Sequence, residues 1–269
     1  MYVCDTIIYM NPLLFIAIIA VQFSVSLFLH SFFLHRYATH RQFTMSRFWE
    51  RIFFILTWLF QGPSFLNPKS YAKMHLEHHA HSDTPDDPHS PHNFSKSRYG
   101  FDFPYASMKM MFFTKHIFEE IKSGTHKIAS MYTDRTFPEW KDFEDFTNTT
   151  ISLLFTGLLF ILFYYYFASG WLWLLLPITL LNAPIQGALV NWCGHMWGYR
   201  NYNLPDKSRN TWVLAPLMWG ELYQNNHHND PDNPNFGGPR WYELDPLYPV
   251  IIILEKVSII KRVSCSSSK

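Results

Sequence analysis

The chain has 269 residues, of which 48% are hydrophobic and 19% aromatic, and a formal charge of +1 at pH 7. So apolar a composition excludes a disordered chain, and the near-neutral balance leaves no basic excess for wrapping nucleic acid. Charged residues reach only 16%, against roughly 25% in soluble domains, and they alternate with greasy segments, which points to a membrane protein with cytosolic chemistry.

A spanning helix needs about 20 mostly apolar residues. The first uncharged run of that length is 12–34, the expected first crossing. No Lys or Arg precedes it and no Ala-x-Ala site follows, so it is expected to be retained rather than cleaved as a signal peptide. The next apolar stretch, 52–66, is short, is interrupted by Gly62-Pro63 and has Arg47, Arg51, Lys69 and Lys73 on its flanks. It reads as an interfacial or re-entrant helix. Residues 97–128 carry Met108, Met111 and Phe112 among Lys109 and Lys115, the pattern of an amphipathic surface helix.

Two further uncharged runs, 149–168 and 171–190, predict a hairpin of crossings about Ala168-Ser169-Gly170. Trp171, Trp173 and Tyr164-Tyr165-Tyr166 near that turn read as an interface belt. The tail 249–263 is again amphipathic, and 264–269 is an expected frayed end. No repeat, linker or second domain is visible. The expectation is one all-α integral membrane domain over 1–269, with about three transmembrane helices, interfacial helices and a cytosolic histidine-rich cap. All 22 Lys and Arg fall in 36–141 or 200–269. That pattern puts 36–148 and 191–269 in the cytoplasm, with the N-terminal decapeptide and the 168–170 turn on the far side.

Cys4, Cys193 and Cys265 are odd in number and far apart, so neither a disulfide framework nor a thiolate zinc site is indicated. The abundant ligand is histidine, with 14 residues. His35 and His40 lie just past the first span, and His75, His78 and His79 form the second cluster. Asn191 with His195 ends the third span, and Gln224, His227 and His228 follow. On a helix, positions i, i+3 and i+4 share a face, so the last three sets can each converge on metal. His35 and His40, five apart, converge only if the helix ends or distorts there. Neutral imidazole suits iron, zinc or copper, and eight such ligands at one membrane face exceed what a single ion needs. His30, His81, His89, His92, His116 and His126 lack paired spacing and read as ordinary surface or core histidines. His-Glu-x-x-His, Gly-x-Ser-x-Gly, phosphate-loop and nucleotide fingerprints do not occur, and Glu77 is on the wrong face of its helix for carboxylate ligation.

The motifs HRYATH (35–40), HLEHH (75–79), DPH (87–89), NWCGH (191–195) and NNHH (225–228) together make the chain resemble the membrane fatty acyl desaturases, particularly the acyl-CoA branch that includes the stearoyl-CoA enzymes. The resemblance implies a di-iron centre that uses O2 and two electrons to remove two hydrogens from a saturated acyl chain, carried on coenzyme A or in a lipid. Carried over by position, His35, His40, His75, His78, His79, His195, His227 and His228 are iron ligands, with Asn191 a water-mediated one. Lys73 and Lys115 match basic positions that face coenzyme A phosphates. Gln224 departs from the histidine usual in that branch and is expected to support the ligands through a water or an imidazole. A second departure is a missing hydrophobic hairpin before the first box. No haem-binding His-Pro-Gly-Gly segment occurs, so a separate ferredoxin, rubredoxin or b-type cytochrome is the expected electron donor. The expected location is a bacterial cytoplasmic membrane with the boxes facing the cytoplasm. The alternatives are a membrane di-iron hydroxylase and, outside enzymes, a metal transporter or haem-binding membrane protein, whose polar ligands belong at mid-bilayer.

Overall fold

The computed structural model describes residues 10–263, so Cys4, Cys265, the leader before Met10 and the expected frayed end lie outside the described residues. The fold is all-α but for one short ribbon. Helix α1, Pro12–Leu29, starts where the Asn11 side chain accepts the amide of Leu13 at 2.9 Å and Pro12 takes a first-turn position that needs no donor. It then runs without a break into a π-helical segment, His30–Thr39. Strand β1, Phe43–Met45, follows and pairs antiparallel with β2, Ile260–Arg262.

Helix α2, Arg47–Gln61, stops at Gly62, whose φ of 58° suits glycine and whose missing Cβ leaves room for the Phe160 ring. The carbonyl freed there, that of Phe60, accepts from Gln22 at 2.7 Å and Asn182 at 2.9 Å. Side-chain amides from two apolar helices therefore satisfy the carbonyl that the break leaves open. Helix α3, Pro68–His81, is capped by Asn67, whose Oδ1 accepts from Ser70 at 3.0 Å. Amphipathic α4, Phe103–Ser123, ends at left-handed Gly124, and α5, Lys141–Thr147, leads into α6, Thr150–Phe167.

Helix α6 has the polarity of a helix in an apolar medium. Ile151, Leu154 and Leu158 point outward, while Ser152, Thr156 and Tyr164 are buried, Ser152 accepting the Trp58 indole at 2.8 Å. The 12–34 and 149–168 runs thus yield two helices long and apolar enough to cross a membrane, Pro12–Thr39 and Thr150–Phe167. The third apolar run differs from the straight span its composition suggests. A 3₁₀ turn, Gly170–Leu175, and α7, Leu176–Leu180, meet α8, Asn182–Met196, at a 73° bend, which makes a third span only if the bent pair is counted as one. Asn182 at the bend spends its amide on the Phe60 carbonyl of α2, and α8 leaves the bend aimed at the histidines of α3. Last come α9, Gln224–Asn229, and α10, Leu247–Lys256.

Candidate metal centre

His35 and His40 come together because their helix is π-helical. The amide of His40 bonds the carbonyl of His35 at 3.1 Å, an i to i+5 closure, and their rings lie 4.9 Å apart. Regular α-helix would splay the two. The paired histidines of α3 and α9 work the opposite way, since neighbours on a helix point about 100° apart. His79 and His227 join His35, His40 and His75 in one group, whereas His78 and His228 join His195 in another; within each group the ligand atoms lie within 4.8 Å of one another. Each His-His pair therefore divides between two centres.

In the five-histidine group the Nε2 atoms face one another, His35 to His227 at 3.0 Å, His79 to His227 at 3.0 Å and His75 to His79 at 3.1 Å. In the three-histidine group the ring centroids form a triangle with every side 5.1 Å. The Nε2 atoms of His78, His195 and His228 are buried there with no hydrogen-bond partner among the described residues. Buried orphans of this kind are costly, and a cation between them removes the cost.

The other ring nitrogen is fixed by a carboxylate. Glu221 takes Nδ1 of His35 at 2.6 Å, and Asp87, Asp83 and Asp206 take those of His78, His195 and His228, each at 2.8 Å. Such partners set the tautomer that leaves Nε2 free for metal. Burial alone would raise the Asp206 and Asp87 carboxyls, but pairing with His228 and His78 outweighs it and holds both below the ordinary range. Glu221 is held down to about 2 in the same way, by His35 and Arg36 against its burial. Burial first, and neighbouring imidazoles second, push His75, His79 and His227 well below their usual value, and burial brings His228 to about 4. Imidazoles whose other nitrogen is fixed by a carboxylate are the donor set of a divalent transition metal. Behind them, buried Arg36 bridges Glu221 at 3.0 Å and Asp245 at 2.7 Å and stacks over Phe236 at 3.7 Å.

A cavity with an apolar wall through Leu27, Phe65, Met110 and Phe118 reaches His75 of the five-histidine group and, outside both groups, His89. Asn191, one turn before His195, lines it, as does Gln224, whose amide nitrogen is spent on the Glu221 carbonyl at 2.6 Å rather than on an imidazole. Gly194 makes room for that side chain: a Cβ there would strike the Gln224 Cγ. Lys115 is exposed and lines this cavity. Lys73 does not; it is bonded to the Ala129 carbonyl and lines a separate polar pocket with Arg41, Arg47, Lys69 and Arg135. Glu77 is turned to the Tyr132 hydroxyl at 2.9 Å, away from the rings, as its place in the helix suggests.

A family model described as fatty acid desaturase matches residues 10–252. The chain belongs to the fatty acid desaturase family. Among curated relatives, a chloroplast protein of Arabidopsis thaliana named a probable lipid desaturase is 30% identical over 211 residues, covering 76% of this chain and 50% of that protein. An acyl-CoA C20 Delta5-desaturase of Anemone leveillei is 28% identical, covering 72% and 56%, and an sn-1 stearoyl-lipid 9-desaturase of Anabaena variabilis is 27% identical, covering 75% and 67%. The chain thus spans half to two thirds of the length of these desaturases.

The sequence left out the supporting carboxylates and one histidine of this desaturase fold. Asp83, Asp206 and Glu221 carry no spacing signal, because each meets its histidine only through the fold. Asp87 and His89 were visible in the DPH motif, but His89 lacks a partner at helical spacing and was set among ordinary histidines, whereas the structure groups it with His78 and Asp87.

Proposed function

We propose that the protein is an O2-dependent acyl desaturase that introduces a double bond into a saturated fatty acyl chain at two iron ions. What carries this reading is the convergence of eight histidines into two adjacent groups beside an apolar cavity. His35, His40, His75, His79 and His227 would hold one ion, and His78, His195 and His228 the other, with Asn191 reaching the second through water. Bound iron would supply the oxygen activation that removes two hydrogens, with two electrons from a separate ferredoxin, rubredoxin or b-type cytochrome and two protons from solvent, the O2 leaving as two waters.

The remaining tasks fall to the chain itself. Asp83, Asp87, Asp206 and Glu221 fix the imidazoles, and Arg36 offsets the charge of Glu221 where no solvent can. The apolar wall holds an alkyl chain beside the histidines and keeps water from the reacting carbons. Exposed Lys115 faces the substrate's anionic carrier. Three crossings, with α2 entering halfway and turning back at Gly62, and with both basic blocks on the cytoplasmic side, fit the charge pattern. Phe160, which packs against Gly62, lies about 15 Å along α6 by helical rise, and this supports such a depth.

Expression in a heterologous host followed by lipid analysis tests the reading. New double bonds are expected, and His228→Ala should abolish them without preventing membrane insertion. An alcohol instead of an alkene would reassign the reaction to hydroxylation. No new product with coenzyme A, acyl carrier protein and lipid-bound chains alike would overturn it.

A further inference from the structure

The two histidine groups are unequal, five ring ligands against three, and Gln224, which shares a helical face with His227 and His228 by spacing, commits its amide nitrogen to the Glu221 carbonyl. Another imidazole stands nearby. His89 is 3% exposed, and both its ring nitrogens are buried without a hydrogen-bond partner among the described residues. Its ring lies 4.2 Å from that of His78 and 6.0 Å from that of His75, so it stands beside a member of each group. It also lines the cavity together with Gln224 and Asn191.

Its placement is built. Asp87 accepts the His89 amide at 2.9 Å through Oδ1 while Oδ2 holds Nδ1 of His78 at 2.8 Å, so a single carboxylate sets the backbone of one histidine and the ring of the other. Pro88 between them has no amide to compete for that carboxylate. A buried imidazole bonded through neither nitrogen is rare, because each unsatisfied polar group carries its full desolvation cost. A ring nitrogen of His89 lies within 4.8 Å of one of His78 and of the Asp87 carboxylate, in a group that shares His78 with the three-histidine group. Two nitrogens bound to one ion at about 2.1 Å each lie at most about 4.2 Å apart, a gap that ring rotation at His89 closes.

We propose that His89 replaces the imidazole that position 224 lacks, binding the metal of His78, His195 and His228 from the cavity side. The assignment rests on the desaturase reading above. It makes DPH a metal-binding motif in this chain and places the second ion against the cavity wall.

The test is iron content of the purified full-length chain, measured by mass spectrometry and by Mössbauer spectroscopy of iron-57, with gel filtration to check that each variant is folded. The wild type should carry two irons, and His89→Ala and His228→Ala about half as much. Gln224→His in the His89→Ala background should restore the second iron, a gain that a merely structural role for His89 does not explain. Two irons retained by His89→Ala, or no recovery in the double variant, would overturn the assignment while leaving the desaturase reading standing. A wild type without iron, or His228→Ala with two, would overturn both. Should His89→Ala fail to fold, His89→Asn, smaller and polar, takes its place with the same two outcomes.

Discussion

The five-histidine group and the three-histidine group solve one problem by different means. In the larger group, among the described residues, only His35 has a carboxylate behind it, and convergence comes largely from backbone geometry: the π-helical closure at His40 and the pairing of His75 with His79 one turn on. In the smaller group the rings come from three separate elements, and each is held by its own aspartate. Where ligands are many, the helix aims them and the surplus tolerates imprecision. Where they are few and come from distant parts of the chain, each needs its own anchor.

The largest effect should come from removing a ligand. We expect His228→Ala to lose the second ion and to lower turnover by more than the ~100-fold that loss of a supporting residue causes. His40→Ala should retain much of its iron, because four imidazoles remain in its group. Iron content and turnover measured on the two purified variants check this, and equal iron loss would remove the distinction between the groups.

The next effect concerns the charge behind His35 in the five-histidine group. Arg36 is fully buried between Glu221 and Asp245. Arg36→Leu leaves two buried carboxylates without a cation, which costs about 3–5 kcal/mol. A lower thermal midpoint, measured on detergent-solubilised protein at fixed metal loading, is the expected outcome. An unchanged midpoint would mean that the larger group does not depend on the ion pair behind His35.

Much of this arrangement was visible before any coordinates. The crossings at 12–34 and 149–168 and the histidine spacings of α3 and α9 are properties of contiguous sequence, so periodicity finds them. The anchors are not local: Glu221 meets His35 across 186 positions and Asp83 meets His195 across 112. Nor does any residue announce the π-helix at His30–Thr39 or the 73° bend before α8. The spacing of His35 and His40 gave the only hint, since five positions do not fit an α-helical face. His89 was discounted because its partner His78 is brought to it by a loop through Asp87 rather than by a helical repeat.

A smaller change isolates the anchors. Asp206→Asn keeps the shape at His228 but removes the charge that fixes its tautomer, and we expect a ~10–100-fold loss of metal affinity in the three-histidine group. Competition with a chelator, followed by iron content, measures it. Within the five-histidine group the corresponding change has no target beyond Glu221, so the contrast fails if Asp206→Asn leaves affinity unchanged.

The smallest effect lies farthest from the metals and separates two lysines that look alike in sequence. Lys115 is exposed on α4 and lines the apolar cavity, where the proposed function has it meet an anionic carrier. Lys73 is buried, bonded to the Ala129 carbonyl and turned into the other pocket. An exposed ion pair contributes about 0.2–1 kcal/mol and is screened by salt. Lys115→Ala should therefore raise KM for an acyl-CoA about two- to five-fold, leave kcat unchanged and lose its effect at high ionic strength. Lys73→Ala should leave KM alone and lower thermal stability, through the lost bond to the 127–130 turn. KM and kcat measured at two salt concentrations separate the cases, and a salt-sensitive KM for Lys73→Ala would mean that the carrier sits in the polar pocket instead of at the mouth of the cavity.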